Sequence, residues 1–378
     1  MRVALVAGET SGDLLGAGLI RSLKQSCPNI EFEGVAGPQM QAAGCKALEI
    51  SDTLAVMGLI EPLIKIPKLL KLRRRLITRW KHTKPDVVVG IDSPEFNLGL
   101  EAALRSTGIR TVHYVSPSIW AWRKGRVNNV EKAADKVLCL LPFEKQIYDS
   151  QGIDADFVGH PLADKLPIEP DVFAARKQLA IDAKHVVAIL PGSRDSEVSR
   201  LGPVFAETCL LLTQRFPSII FVAPMVNSRI RVAFEKHLDS YKIRDRVLLV
   251  DSNAELAITA ADIVLLASGT AALEAALLGT PMVAAYRVSP LTFGLMRGLN
   301  LLKVPYITLP NLLTEKPLVP EFIQHAAMAD LLCTSLEDLL KDNDRRLTIV
   351  REFKLIRKLL ARNADERAAR AVLKIAQR

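Results

Sequence analysis

The sequence predicts an α/β protein made of two doubly wound parallel-sheet halves in tandem. Three observations carry this expectation. Short apolar runs recur along the chain, each of a length that suits a buried strand. Stretches with helical spacing alternate with them, as in repeated strand–helix–strand units. A break at Gly159-His160-Pro161-Leu162-Ala163-Asp164, followed by Pro167 and Pro170, divides the alternation into two series.

In the first series Val3–Ala7 reads as a strand, Gly8–Asp13 as a polar turn, and Leu14–Lys24 as a helix. Phe32–Val35 reads as the second strand, with Ala36-Gly37-Pro38 and a short helix after it. Asp86–Asp92 is a strand that ends on a carboxylate, and Val112–Val115 one that ends at Ser116-Pro117. Lys136–Leu141 and Ala155–Val158 complete the half. The second series is His185–Leu190, Ser218–Ala223, Val247–Val250, Ile263–Leu266 and Met282–Ala285. Ser335–Gln377 reads as charged helix, with Lys374 near its end where a helix dipole favours cations. The expected domains are residues 1–163, 164–340 and 341–378. The last block is expected to pack back on the first domain or on a partner subunit, which leaves a homodimer open.

Composition excludes several classes. The 378 residues are 49% hydrophobic and 24% charged, ordinary for a globular protein of two or three domains. No apolar run approaches the roughly 18–20 residues of a membrane span. The first apolar run is short and is followed by Glu9 and Asp13, so a first strand of a cytoplasmic protein is expected rather than a leader. Five cysteines without a CxxC pair, and six dispersed histidines without HExxH, give no reason to expect a metal or cofactor. Asp342-Asn343-Asp344 matches a bare D-x-D triplet in a polar linker and reads as chance.

Ala261–Arg287 is the stretch most suited to hold a ligand. Strand Ile263–Leu266 leads through Ala267-Ser268-Gly269-Thr270 into helix formers that stop at Gly279 and Pro281. The first N–H groups of such a helix lack internal partners and carry positive charge, which suits a phosphate. Glu274, one turn inside, suits ribose hydroxyls. The other reading is an ordinary strand–helix unit with an empty turn. Leu190-Pro191-Gly192-Ser193-Arg194 also follows a strand, and Arg194 has a planar fork that can hold a diphosphate at two points. Ligands of open α/β sheets bind outside strand C-terminal ends.

In the first half, Gly90–Asn97 puts Asp92 and Glu95 at a strand mouth, where Asp92 reads as a general base or as a helix N-cap. Tyr114–Arg123 sets two tryptophans beside a strand end, as a ligand wall or as core. Leu59–Lys81 holds eight basic side chains against Glu61 alone, and so most of the net charge of +9. Leu63, Ile66, Leu70 and Trp80 recur among Arg73, Arg74 and Arg75, the pattern of a segment at an anionic membrane. Pro62 and Pro67 restrict the expected unbroken helix to the part after Pro67. No nucleic-acid motif accompanies the charge, and the remaining reading is an amphipathic helix packed on its own sheet.

Together these stretches resemble the lipid-A-disaccharide synthases, inverting glycosyltransferases of the two-Rossmann GT-B type. The resemblance rests on Val6–Asp13, Gly34–Pro38, Val56-Met57-Gly58, Gly90-Ile91-Asp92, His113–Trp122, Leu141–Glu144, Leu190–Arg194, Leu266–Glu274 and Leu309–Leu313, in order over nearly the whole chain. One departure is Ser93-Pro94-Glu95, where the family more often has a second Asp.

The resemblance implies two Rossmann-like domains facing a cleft. It implies transfer of 2,3-diacylglucosamine from its UDP derivative to 2,3-diacylglucosamine 1-phosphate, at the inner face of the cytoplasmic membrane. Asp92 would be the base. Gly192, Ser193, Arg194, Ser268, Gly269, Thr270, Glu274 and Asn311 would hold the donor. Glu9, Ser11 and Asp13 would meet the acceptor, without a metal or cofactor. Two other classes share the local patterns. A UDP-sugar 2-epimerase needs no lipid surface, and a non-catalytic nucleotide-sugar-binding subunit needs no Asp92.

Overall fold

The computed structural model describes residues 1–54, 61–117, 125–289 and 305–378, with residues 52, 61–65, 125 and 126 described by backbone alone. These residues form two compact units, Met1–Asp164 with Leu360–Arg378, and Lys165–Leu359. The block expected over residues 341–378 therefore divides at Leu360.

The first unit contains β1 (Arg2–Ala7), α1 (Thr10–Ser26), β2 (Glu31–Ala36), α2 (Pro38–Ala42), β3 (Cys45–Ile50), α3 (Glu61–Thr83), β4 (Val87–Ile91), α4 (Pro94–Arg105), β5 (Arg110–Tyr114), α5 (Gly125–Ala133), β6 (Lys136–Cys139), α6 (Pro142–Asp149), β7 (Ala155–Phe157) and α7 (Pro161–Lys165). Its sheet runs in the order β3-β2-β1-β4-β5-β6-β7, and each neighbouring pair is parallel. β1 and β4 are buried from end to end after Arg2, as the apolar runs require. The chain winds outward from β1 to β3, then returns to β4 on the other side. The crossovers on the two sides of β1 and β4 diverge there and open a crevice.

Two sequence expectations about α3 need correction. It runs from Glu61 through Pro67 to Thr83 rather than starting after Pro67. Pro62 lies in the first turn, where its missing N–H has no helical partner anyway. Pro67 removes one internal bond, but Leu72, Leu76 and Trp80 are buried against Val6, Val35, Val88 and Leu100, and that packing outweighs it. Trp80, expected in the membrane stripe, is 0% exposed, and its Nε1 donates to Glu33 at 2.9 Å. It belongs to the core. Leu63 is among the residues described by backbone alone, and Val56-Met57-Gly58 and Ser118–Trp122 lie outside the described residues.

The second unit contains α8 (Val172–Gln178), β8 (Val186–Leu190), α9 (Asp195–Arg215), β9 (Ile220–Met225), α10 (Ser228–Ser240), β10 (Val247–Asp251), α11 (Ala254–Ala260), β11 (Ile263–Ala267), α12 (Thr270–Leu277), β12 (Met282–Tyr286), α13 (Leu309–Leu312), β13 (Glu321–Ile323), α14 (Ala329–Lys341) and nearly all of α15 (Asn343–Leu360). The order β10-β9-β8-β11-β12-β13 is again parallel, with its switch between β8 and β11. Asp342 Oδ1 accepts from Arg345 N at 2.8 Å, so the D-x-D triplet starts α15. Near the other end Arg357 donates to the carbonyls of Pro167 (2.9 Å) and Leu277 (2.6 Å).

The closing helix, α16 (Ala364–Ala376), returns to its own first unit and packs on α1, β4 and β5. Asp164 caps its start by accepting from Asn363 N (3.0 Å) and Ala364 N (2.7 Å). His160 N donates to Leu360 O at 2.9 Å. The chain's exit from the first unit and its re-entry are thus bonded side by side.

Candidate active site

Glu9 follows β1 and Asp92 follows β4, so both sit at the switch point of the first sheet. Ala7 and Ile91 are register partners. The loops beyond them touch: a Cβ on Gly8 would come within 2.1 Å of Ser93 Oγ, so only glycine fits. Asp92 (φ 54) and Ser93 (φ 45) are both left-handed, which costs roughly 1–2 kcal/mol per non-glycine residue. The N-cap of α4 is Ser93, not Asp92, and it makes no side-chain capping bond. Among the described residues the Asp92 carboxylate has no hydrogen-bond or ion-pair partner.

Backbone bonds hold this turn. Asp92 N donates to Tyr114 O at 2.8 Å. Asn97, in the first turns of α4, donates from Nδ2 to Asp92 O at 2.8 Å and approaches Val6 O and Ile91 O at 3.3 Å. Asn97 is 0% exposed, and its Oδ1 has no partner. One turn further along α4, buried Glu101 bonds His113 Nδ1 of β5 at 2.9 Å. Burial pushes the Glu101 carboxyl up, against the opposing pull of His113 and the Gly90 backbone.

A groove of about 530 Å³ opens beside Asp92. Glu9, Arg73, Asp92, Ser93 and Glu95 form its polar lining, and its apolar wall includes Leu54, Ile66, Leu69, Leu70 and Phe96. It unites the strand-mouth carboxylates with one face of the basic helix. Of the other expected acceptor residues, Ser11 is exposed in the first turn of α1 and does not line the groove. Asp13 is 2% exposed, and its carboxylate accepts from Gly37 N, Gln39 N and Met40 N at 2.8–3.0 Å. It fixes the start of α2 and does not face the groove.

The basic cluster also divides. Arg75 is ion-paired to Glu49 at 2.7 Å, and Arg79 grips Glu33 through two nitrogens at 2.9 and 2.6 Å. Arg74 faces solvent, with Ile66 42% and Leu70 37% exposed nearby on α3.

In the second unit β8 and β11 are neighbours, with Leu190 opposite Leu266. The Gly192–Arg194 loop and the Ser268–Thr270 turn therefore emerge from adjacent strand ends. Gly269 starts α12 without a side-chain cap, and nothing lies within 4 Å of where its Cβ would be. Among the described residues no side chain therefore caps the start of α12. Ser268 Oγ leans on Ile307 O at 3.4 Å. Gly192 has φ 124, and Glu197 packs against it. Glu197 Oε2 accepts from Ser193 N at 2.9 Å and Oε1 from Arg194 Nη1 at 3.4 Å. The Ser193 amide thus serves the loop itself, whereas its hydroxyl stays exposed.

Glu274 is half-buried, and burial, with Glu255 adding like charge, pushes its carboxyl up. Asn311 is fully used internally. Nδ2 donates to Val319 O and Glu321 Oε1 and Oδ1 accepts from Leu318 N and Val319 N, each at 2.8 Å. It can act on a ligand only by shaping the loop. Among the described residues no three His, Cys, Asp or Glu side chains converge as a metal site.

The sequence assigned no role to Asn97 or Glu101, and placed Glu197 only in a capped helix start over Asp195–Val198. The signal for the first two was present, as a polar pair four residues apart on the otherwise apolar face of α4. Glu197 stands three residues after the N-cap Arg194, the spacing of a capping box.

The chain matches the family model described as lipid-A-disaccharide synthetase over residues 3–375. It is 48% identical over 376 residues to a lipid-A-disaccharide synthase of Pectobacterium carotovorum, covering 99% of this chain and 98% of that one. It is 48% identical over 377 residues to one of Sodalis glossinidius, covering 100% and 98%. Among solved structures, UDP-GlcNAc 2-epimerase from Neisseria meningitidis bound to UDP-GlcNAc aligns with a TM-score of 0.62 at 15% identity, over 99% of each chain. That likeness is one of fold, two Rossmann-like domains, and does not extend to activity.

Proposed function

The chain belongs to the lipid-A-disaccharide synthetase family and is a glycosyltransferase of lipid A disaccharide synthesis; from that premise we propose how its residues carry the reaction. The donor is UDP-2,3-diacylglucosamine and the acceptor 2,3-diacylglucosamine 1-phosphate. Asp92 takes the proton of the acceptor 6-hydroxyl as that oxygen bonds to the donor's anomeric carbon. The bond from this carbon to the diphosphate breaks in the same step, and its electron pair leaves with UDP. A single displacement inverts the carbon and yields the β-1,6-linked disaccharide 1-phosphate. Negative charge developing on the diphosphate meets Arg194 and the uncapped start of α12. Those groups replace a metal ion in this role.

The observation that carries the reading is the Asp92 carboxylate. It is an acceptor without a partner among the described residues, on a strained turn at a sheet switch point, in a groove with one apolar wall. Purified Asp92→Asn should bind UDP normally yet form no disaccharide by mass spectrometry. Turnover at the wild-type rate would remove Asp92 from the mechanism. Activity in EDTA should be unchanged, and a loss restored by magnesium would overturn the metal-free part.

Both substrates carry acyl chains, so the enzyme works peripherally at the inner face of the cytoplasmic membrane. Exposed Ile66 and Leu70, with Lys68, Lys71 and Arg74 around them, support this. Among the described residues no helix is long and apolar enough to cross a membrane.

A further inference from the structure

Arg73, Arg74 and Arg75 are consecutive, but α3 sends them in different directions. Arg75 is engaged with Glu49, and Arg74 faces solvent. Arg73 is half-buried and lines the groove that holds Asp92. Its guanidinium has no hydrogen-bond or ion-pair partner among the described residues. It gets there by lying across α4 at Gly99, where a Cβ would stand 2.4 Å from Arg73 Nη1. A cation partly withdrawn from water without a partner is unfavourable until an anion joins it.

The groove is sorted by chemistry. Glu9, Asp92 and Glu95 repel an anion and suit sugar hydroxyls. Leu54, Leu69 and Leu70 suit an acyl chain. Among the lining residues Arg73 is the one cation, the group suited to a phosphate's charge.

We infer that Arg73 grips the phosphate monoester of the glycosyl acceptor and sets the groove's preference for a phosphorylated sugar. The inference rests on the reading of the Asp92 groove as the acceptor site. A guanidinium presents two parallel N–H groups to two phosphate oxygens, so it fixes orientation as well as charge. A bilayer lipid headgroup offers the same phosphate chemistry, and the two sources differ in kinetics.

The test measures kcat/KM in neutral detergent micelles with the 1-phosphate acceptor and its dephosphorylated analogue. Wild type is compared with Arg73→Gln and Gly99→Ala. In wild type, removing the phosphate should lower kcat/KM about 10- to 100-fold. Arg73→Gln should lose about as much on the phosphorylated acceptor and hardly distinguish the two, with the donor KM unchanged. Gly99→Ala should reduce the discrimination while the melting temperature holds or rises. Alanine favours the helix, but its methyl displaces the guanidinium.

Full discrimination by Arg73→Gln, or equal losses on both acceptors, overturns the inference. So does an effect seen only on anionic vesicles, which assigns Arg73 to a headgroup. If wild type uses both acceptors equally, the inference alone falls. If wild type extends neither, the acceptor reading falls and takes the inference with it.

Discussion

Replacing Asn97 with leucine should leave a folded protein that transfers sugar about 100-fold more slowly. Leucine has the same branching but no donor. Of the three approaches made by Nδ2, the 2.8 Å bond to Asp92 O is the good one. Losing it leaves a part-buried carbonyl without that donor, worth about 1 kcal/mol. The same substitution removes the unpartnered Oδ1, which offsets a similar amount. Misfit of the larger methyls adds about 1 kcal/mol. The net change in stability should therefore be small.

The turn responds differently. Asp92 and Ser93 together store about 2–4 kcal/mol of left-handed strain. The Asn97 bond to the Asp92 carbonyl holds that strain in place. Once it is gone the backbone can relax, and the carboxylate moves. A misplacement of about 1 Å at a reacting group costs on the order of 100-fold in rate. Turnover at saturating substrates, UDP calorimetry and thermal melting on one preparation measure all three quantities. A well-folded variant with kcat within a factor of two of wild type would refute the reasoning. A rate loss that tracks unfolded protein would reduce Asn97 to a stability residue.

Arg194→Ala should weaken UDP binding by about 1.5–3 kcal/mol, read by calorimetry, because a charge-assisted contact is lost. Its loop should keep its shape, since Ser193 N still bonds Glu197; unchanged affinity would clear Arg194 of the donor site. Replacing Lys71 and Arg74 with serine should reduce sedimentation with anionic vesicles, most at low salt. Arg75→Ser should do less, because Glu49 already pairs that charge; equal effects would mean the ion pair does not persist at the membrane. Hydrogen bonding from Arg79, helped by Trp80, holds the Glu33 carboxyl below its usual 4.5. A depressed carboxylate stabilises the fold above its unfolded pKa, and that contribution fades as pH falls through the folded value. Glu33→Gln should thus be less stable than wild type near neutrality and approach it in acid, by denaturant unfolding. A gap that does not narrow removes Glu33 from the acid response.

Strands buried on both faces were legible because nothing but an apolar run can fill them. Val87–Ile91 and Ile263–Ala267 lie where the sequence put them. β3 was missed because Cys45–Ile50 is a half-exposed edge strand, so its pattern does not stand out. The start of α1 was read too late, since Gly8–Asp13 looks like a turn, whereas the helix begins at Thr10 with Glu9 as its cap. In α3 the period was visible but not the direction. Ile66 and Leu70 belong to one face, Leu72, Leu76 and Trp80 to another, and only the sheet beneath tells them apart. The place of Asp92 after a strand end was legible. The bond that holds its turn was not, because Asn97 meets a backbone carbonyl, which has no sequence.

The pairing of Asp164 with the start of α16 has a temporal consequence. Synthesis runs from the N-terminus, so all seven strands of the first sheet exist before the last helix that covers them. The second unit is made in the interval and has its own sheet to fold. Until α16 arrives, the surfaces of α1, β4 and β5 that it covers stay open. β4 leads into Asp92, and β5 ends at Tyr114, whose carbonyl accepts from the Asp92 amide. The surroundings of Asp92 are thereby completed only by a helix made after the whole second unit. A chain that stops before α16 carries Asp92 on an unfinished sheet and leaves those surfaces uncovered.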